Sequence, residues 1–206
     1  TCAVQLLIDC LGLKYASEKP LVILGPFEHH SNLLPWRELG NVDIEMVHYR
    51  QNGSVDLKHL ERILREHGDR PVKIGSFSAA SNLTGTIADD LGITALLHQH
   101  GALSVWDYAT GASYLDMEMN PTHSEYAPGA ISKDAIMFSG HKLLGAVGTP
   151  GVLVVKKQLV SKTNPPSISG GGTVFYVTQD HHRFLSNRVE RYEGGTPNAC
   201  AYTHLT

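Results

Sequence analysis

Short apolar runs alternate with amphipathic stretches along most of the chain. Six runs have the length and composition of buried strands, at residues 21–25, 44–49, 72–77, 102–107, 135–139 and 151–157. Helical periodicity marks residues 1–12, 55–68 and 88–101 instead. Because strands that alternate with helices pair in parallel, the pattern predicts an α/β fold with a mainly parallel sheet covered on both faces.

The regular pattern weakens towards the end of the chain. Residues 121–134 and 162–172 have the composition of surface loops, and periodicity is poor beyond them. We therefore predict a single partial domain over residues 1–206, with an irregular C-terminal arm over about 162–206. The chain opens on Thr1 directly in a helical pattern, which we interpret as a piece of a longer protein whose domain is incomplete at both ends.

Composition narrows the classes of partner. The 206 residues are 42% hydrophobic and 18% charged, which is sufficient for one well-buried core. The net charge is only −3, and lysines and arginines are scattered, so we expect neither nucleic acid nor an anionic membrane surface as a partner. No apolar run reaches the ~20 residues that a membrane helix needs.

The spacing of the cysteines indicates whether the protein works in an oxidising or a reducing compartment. Cys2 and Cys10 fall on one predicted helix, about 12 Å apart by its rise per residue, which is too far for a disulfide. With Cys200 they form no metal-binding spacing. The pattern favours a reducing compartment, so we expect a cytoplasmic protein. An organelle stays an alternative, because any targeting segment would precede Thr1.

Polar residues cluster just after the predicted strands. They are Glu28, His29, His30, Asn32, Ser81, Asn82, Asp107, Ser139, His141 and Lys142. In open α/β sheets ligands bind at the carboxyl ends of the strands, so these side chains are expected at one rim. Thr1 joins them by opening a helix whose free N–H groups favour an anion such as phosphate. The rim therefore predicts a ligand with an anionic end and an electrophilic group.

Five segments resemble, in order, successive motifs of the class V aminotransferases, the pyridoxal-phosphate family that includes cysteine desulfurases. The segments are EHHSNLLPW, ASNLTGTIAD, HQHGALSVWDYA, FSGHKLLGAVGTPGVLVVKK and YEGGTPN. The resemblance implies the three-layer large domain of an aspartate aminotransferase-like transferase, without its small domain. It also implies pyridoxal 5′-phosphate as cofactor, a small amino acid as substrate and a homodimer.

The same resemblance assigns catalytic roles. Lys142 is similar to the lysine that forms a Schiff base with the cofactor aldehyde, and a sequestered amine has the nucleophilicity for it. Asp107 resembles the aspartate that pairs with the pyridine nitrogen. His29 resembles the histidine that stacks on the ring. By residue type alone, Asp107 also suits a plain turn, and His29 with His30 suits a helix cap or a zinc site.

Further residues are assigned to cofactor binding. The resemblance implies that Thr1, Ser139 and His141 hold the phosphate, and that Thr196 reaches the phosphate of the partner subunit. Asn82 is similar to the asparagine near the ring hydroxyl, although Asn82 with Thr84 also reads as a turn or a glycosylation acceptor.

One departure bears on the reaction. The desulfurase motif has aspartate, any residue, alanine and glutamine, and this chain has Thr110 in place of the glutamine. The resemblance therefore assigns Thr110 to the ring hydroxyl, as a shorter donor that needs a water bridge or help from Tyr108. We expect a pyridoxal-phosphate enzyme that acts by transamination, desulfuration or elimination. Two alternatives are a cofactor-binding protein without turnover and a nucleotide-binding α/β domain. The second lacks a GxGxxG motif after a strand.

Overall fold

The computed structural model describes residues 1–196. Residues 1–196 form four α-helices: α1 (Cys2–Leu11), α2 (Leu34–Arg37), α3 (Leu57–Glu66) and α4 (Asp90–Gln99). Within this part of the chain the strands are β1 (Leu21–Leu24), β2 (Asp43–Met46), β3 (Lys73–Ser78), β4 (Leu103–Asp107), β5 (Ala135–Ser139), β6 (Gly151–Val155), β7 (Val174–Val177) and β8 (His182–Phe184). All six predicted strands and all three predicted helices are present.

Six strands form the central sheet in the order β2-β1-β3-β4-β5-β6. The pairs from β2 to β5 are parallel, whereas β6 runs antiparallel to β5. Parallel neighbours need a long crossover, usually a helix, and β5 and β6 are joined by a loop that contains no α-helix. The predicted fold class, an α/β fold with a mainly parallel sheet, is confirmed.

The sheet has a hydrophobic core on each face. In β1, Leu21 and Ile23 pack with α3 and α4, while Val22 and Leu24 pack with α1 on the opposite face. All four side chains are fully buried. Because successive strand residues point to opposite faces, an unbroken apolar strand indicates burial on both sides.

The helices on the first face begin at aspartate caps. The Asp56 carboxylate accepts hydrogen bonds from the backbone N–H groups of Lys58 and His59 at the start of α3. Asp89 accepts one from the backbone N–H of Gly92 at the start of α4. These bonds satisfy N–H groups that have no partner inside the helix, which defines where each helix begins.

The C-terminal arm contains structure that the sequence pattern did not indicate. β7 and β8 form an antiparallel hairpin inside the segment predicted to be irregular. Three of the four β7 residues are exposed, so the hairpin lacks the apolar alternation that marks a strand with one buried face. Among residues 1–196, no helix combines the length and apolar character needed to cross a membrane.

Candidate functional site

A cavity of about 450 Å³ lies at the carboxyl ends of β1, β3, β4 and β5, beside the start of α1. Its size is in the range of small-molecule sites. Eight of the nine predicted site residues line it: Thr1, His29, Asn82, Asp107, Thr110, Ser139, His141 and Lys142. The order of the strands therefore brings together side chains from distant parts of the chain, as expected for the carboxyl edge of an open α/β sheet.

The ninth predicted residue, Thr196, is exposed and does not line this cavity. Its predicted contact is with the phosphate of a partner subunit, and a contact of that kind lies outside a single chain. The role of Thr196 stays a prediction.

Asp107 is the buried acid of the cavity, with 8% of its surface exposed. One carboxylate oxygen, Oδ1, accepts the backbone N–H of Ala109 at 2.7 Å. The other, Oδ2, accepts no hydrogen bond from the residues that the structure describes. Burial raises the pKa of Asp107, against the lowering effect of the Ala109 N–H and of the charges of Lys142 and His29. Asp107 is thus a carboxylate that lacks a cationic hydrogen-bond partner.

Lys142 lies in a single 3-10 turn, Gly140–Lys142, directly after β5. Its backbone carbonyl accepts a hydrogen bond from the hydroxyl of Ser113 at 3.2 Å. A Cβ at Gly140 would lie 2.7 Å from Oγ1 of Thr149 and 3.0 Å from the carbonyl oxygen of Pro150. Only glycine fits this position. Lys142 lines the cavity but is exposed, so its amine is not sequestered from water as the sequence led us to expect.

Hydroxyl groups line the cavity beside α1. Oγ1 of Thr1 and Oγ of Ser31 are 2.8 Å apart, and Ser139 and His141 lie on the same cavity. The start of a ten-residue helix adds free backbone N–H groups, which together with hydroxyls suit an anion. Sequence reasoning missed Ser31, although its place two residues after His29 was a usable signal.

His29 is oriented by the chain that follows it. Its Nδ1 accepts the backbone N–H of Ser31 at 3.2 Å. An accepting nitrogen carries no proton, so this bond requires the neutral ring to carry its hydrogen on Nε2. The ring lies beside that of His30, with 5.7 Å between the centroids. The Ser31 contact thus selects the tautomer of His29.

Comparison with known proteins identifies the family. The model of the aminotransferase class-V family matches residues 1–206. The chain belongs to this family. A probable cysteine desulfurase of Pyrococcus abyssi is 30% identical over 91% of the chain and 44% of its own length. A probable cysteine desulfurase of Treponema pallidum is 29% identical over 98% of the chain and 47% of its own length.

Solved structures agree with this class V assignment. The apo structure of cysteine desulfurase from Thermococcus onnurineus matches with a TM-score of 0.78 and 27% identity, over 98% of this chain and 48% of that one. The chain therefore spans about half the length of the relatives it matches. Class V aminotransferases and cysteine desulfurases are enzymes that use pyridoxal 5′-phosphate.

The residues of this class V site fit that cofactor. Pyridoxal 5′-phosphate has an aldehyde, a ring nitrogen and a phosphate, and the cavity offers an amine at Lys142 and a carboxylate at Asp107. The uncommitted Oδ2 of Asp107 suits a protonated ring nitrogen. The hydroxyl pair of Thr1 and Ser31 beside the start of α1 suits the phosphate.

Thr110 stands where the desulfurase motif has glutamine, and it lines the cavity. Its side chain is shorter than that of glutamine, so a contact with a ring hydroxyl would need a closer approach or a bridging water.

Glu28 is a half-buried acid that lies outside the lining of this cavity. Its carboxylate accepts the side-chain amide of Asn32 at 2.6 Å, the backbone N–H of Ser78 at 2.7 Å and the Ser78 hydroxyl at 2.8 Å. Burial raises the pKa of Glu28 to about 7, opposed by these hydrogen bonds and assisted by the charge of Asp107. The acid joins the ends of β1 and β3. Sequence reasoning placed Glu28 at this rim without a role.

His98, near the end of α4, lies away from the cavity and contacts residues before β5. Nε2 of His98 lies 3.0 Å from Oδ2 of Asp134, and its Nδ1 lies 2.9 Å from the carbonyl oxygen of Ala130. These contacts connect α4 to the amino end of β5. The cavity lies at the other, carboxyl ends of the strands. Within residues 1–196, no group of three or more His, Cys, Asp or Glu side chains is arranged to hold a metal.

Proposed function

We propose that this chain is the cofactor-binding part of a pyridoxal-phosphate enzyme that acts on a small amino acid, with desulfuration of cysteine as its reaction. One observation carries the proposal. An amine, a buried carboxylate with an uncommitted oxygen and an anion-binding helix start line one cavity at the carboxyl edge of the sheet. Relatives named as cysteine desulfurases support the choice of reaction.

Bound pyridoxal phosphate supplies an electron sink for negative charge at the α-carbon of an amino acid. In the proposed site Lys142 would supply the amine that holds the cofactor, and its Nζ would carry a proton during the reaction. Oδ2 of Asp107 would accept a hydrogen bond from the protonated ring nitrogen and so keep that proton on the ring. The imidazole of His29 would lie against one face of the ring.

The remaining predicted residues hold the cofactor. Thr1, Ser139 and His141 donate to the phosphate, assisted by Ser31, whose hydroxyl contacts that of Thr1. Asn82 and Thr110 line the cavity and are assigned to the side of the ring hydroxyl.

A second candidate reaction is transamination or β-elimination. The observation that favours it is Thr110, which replaces the glutamine of the desulfurase motif in a position that lines the cavity. Sulfide release from L-cysteine, compared with α-keto acid formation from L-alanine and L-cysteine, distinguishes the reactions.

We also propose that the protein works as a homodimer. In the loop after Lys142, the side chains of Leu144 and Val147 are exposed, and so is Phe175 in the hairpin. Exposed apolar groups favour burial against another protein surface. Thr196 would then serve the partner's site. Location in the cytoplasm, with an organelle as the alternative, is a proposal that rests on the cysteine pattern.

The test uses the purified protein loaded with pyridoxal 5′-phosphate. We expect a visible absorbance band, and borohydride should fix the cofactor to the peptide that contains Lys142, as mass mapping would detect. The Lys142→Ala variant should bind cofactor only reversibly and lose it on dialysis, since no amine remains to attach it.

Lys157→Ala is the matched control, because Lys157 is exposed and lies outside the cavity. Fixation by borohydride in Lys142→Ala, at the wild-type level, would contradict the proposal. Addition of an amino acid checks the alternative without turnover: an unchanged spectrum with every amino acid tried would favour a silent cofactor-binding protein.

A further inference from the structure

The segment after β4 has two opposite sides. Asp107 and Thr110 face the cavity, whereas Tyr108, between them, is only 1% exposed and does not line it. The backbone N–H of Ala109 donates a hydrogen bond to Oδ1 of Asp107. The position of the Asp107 carboxylate therefore depends on where residues 108 and 109 are held. In the desulfurase motif, the position of Tyr108 takes any residue.

Tyr108 is anchored by its side chain as well as by its backbone. Its hydroxyl donates to Oδ2 of Asp90 at 2.8 Å. Its backbone N–H donates to the carbonyl of Met137 at 2.7 Å, and its own carbonyl accepts the N–H of Ala112 at 2.7 Å. Burial raises the pKa of Tyr108, and the charge of Asp90 raises it further, so the phenol remains a neutral donor.

Asp90 is in turn held by a buried lysine. Nζ of Lys133 lies 2.8 Å from Oδ2 of Asp90 and 3.0 Å from the carbonyl oxygen of Glu118. Lys133 is 1% exposed, and a lysine so deeply buried needs a paired charge. The same Nζ lies 6.0 Å from the centre of the Tyr108 ring. Lys133, Asp90 and Tyr108 thus form one network beneath the segment.

This network touches the cavity only through the backbone that follows Asp107. Three separate parts of the chain meet there: the first turn of α4, the residue after β4 and the segment before β5. Buried polar networks with every member bonded restrict side chains to one arrangement. A fixed Tyr108 restricts the N–H of Ala109, and within residues 1–196 this N–H is the only hydrogen-bond donor to the Asp107 carboxylate.

We infer that Tyr108 is a positioning residue for the cofactor site. Held by Asp90 and Lys133, it fixes the Ala109 N–H and thereby keeps the Asp107 carboxylate directed at the ring nitrogen of pyridoxal phosphate. The inference rests on the proposed function, because it presupposes that Asp107 meets that nitrogen.

A double-mutant cycle on the cofactor-loaded protein tests this inference. Tyr108→Phe keeps the buried ring and removes one hydrogen bond, so the dissociation constant of pyridoxal phosphate should rise about two- to tenfold. The pH midpoint of the visible band should shift towards that of Asp107→Asn. In an Asp107→Asn background, Tyr108→Phe should have no further effect on either quantity, because it acts through the carboxylate.

Tyr114→Phe is the control, since Tyr114 belongs to the same segment and is 87% exposed. Equal loosening by Tyr108→Phe with and without Asp107 would show a general structural role and overturn the inference. Wild-type affinity and an unshifted pH midpoint in Tyr108→Phe would overturn it too.

Asp90→Glu is the second variant if Tyr108→Phe does not fold, and it is taken through the same cycle. It moves the carboxylate from its place at the Tyr108 hydroxyl while leaving Lys133 a charge partner. A wild-type protein that binds no pyridoxal phosphate would refute the proposed function itself. Wild-type binding together with an additive cycle would refute only the role of Tyr108.

Discussion

Two buried aspartates lie at opposite ends of neighbouring strands, and their carboxylates differ in the hydrogen bonds they accept. Asp107 ends β4 at the cavity edge of the sheet, and Asp134 directly precedes β5 at the opposite edge. They are 8% and 5% exposed, so their burial is similar. Their pKa values nevertheless shift in opposite directions, upwards for Asp107 and downwards for Asp134. The difference must come from what each carboxylate contacts.

Asp134 is saturated with donors. Its Oδ2 contacts Nε2 of His98 at 3.0 Å and accepts the backbone N–H of Ser104 at 2.9 Å, while its Oδ1 accepts Nζ of Lys156 at 2.9 Å. Burial by itself would raise the pKa of Asp134, but these donors outweigh burial and hold the pKa below its ordinary value. Both oxygens of this carboxylate are thus engaged by neighbouring residues.

Asp107 has one backbone donor and a free oxygen on the cavity. Burial raises the pKa of this carboxylate, because few donors offset the loss of solvation. A carboxylate that must receive a ligand cation has to keep an oxygen uncommitted, whereas one that joins strands is most stabilising when fully bonded. The contrast separates a binding role from a structural role.

Removal of the charge at Asp134 should have the largest effect, on stability. Asp134→Asn leaves Lys156 without its charge partner and weakens the contact with His98, so the free energy of unfolding at pH 7 should fall by about 3 kcal/mol. Urea denaturation measures this loss. Cofactor affinity of the folded protein should be unchanged, because the residue lies at the opposite edge.

The pH dependence of the same variant provides a second check. A lowered folded-state pKa means that Asp134 stabilises the protein fully above its unfolded value, near pH 4, and that this contribution is lost as the pH falls further. The gap between wild type and Asp134→Asn should close in acid. The exposed Asp116 provides a control through Asp116→Asn, and an equal loss of stability in that variant would contradict the structural role.

Asp107→Asn should have the opposite result: turnover should fall, whereas stability should not. The cofactor should stay bound, but turnover should fall about ten- to a hundredfold, the value of one charge-assisted hydrogen bond. Stability should be unchanged or higher, since the variant removes a buried charge with few partners. Steady-state kinetics measure the turnover, and urea denaturation measures the stability. Near wild-type turnover combined with a loss of stability would make Asp107 a structural residue like Asp134.

The smallest effect is expected at Glu28, where the measured quantity is the change of unfolding free energy with pH. Its pKa is raised from 4.5 to about 7, so the folded protein binds this proton more tightly than the unfolded chain does. Stability should therefore decline as the pH rises through that interval. Glu28→Gln should flatten the slope of unfolding free energy against pH, whatever its offset.

The exposed Glu38 provides the control variant for this slope, Glu38→Gln, which should leave it at the wild-type value. A slope that is unchanged in Glu28→Gln would show that other groups cause the pH dependence.

The sheet direction and the site edge could be predicted from sequence because they depend on local patterns. The apolar run of β1 predicted a strand buried on both faces, and Leu21 to Leu24 do divide between two cores. Lys142 and Asp107 were predicted at one rim because both follow strands, and both line the cavity. Their assigned catalytic roles came from resemblance to the family and remain proposals.

Other features could not be predicted because no local pattern encodes them. The β7–β8 hairpin has exposed faces, so it leaves no apolar alternation to detect. The contact between Thr1 and Ser31 joins residues whose polarity alone did not indicate a partner. Hydrogen bonds between distant residues depend on side-chain directions that arise only after the helices and strands have packed.

The amino-acid sequence by itself determined which segments form strands and helices, and it placed the reactive side chains at the strand ends. Periodicity and chain order suffice for this, because burial on one or two faces is recorded residue by residue. Only the tertiary structure decided which carboxylates are saturated and which keep a free oxygen. That distinction arises where Lys133 meets Asp90 and where Lys156 meets Asp134, because each pair is brought together by the packing of separate elements.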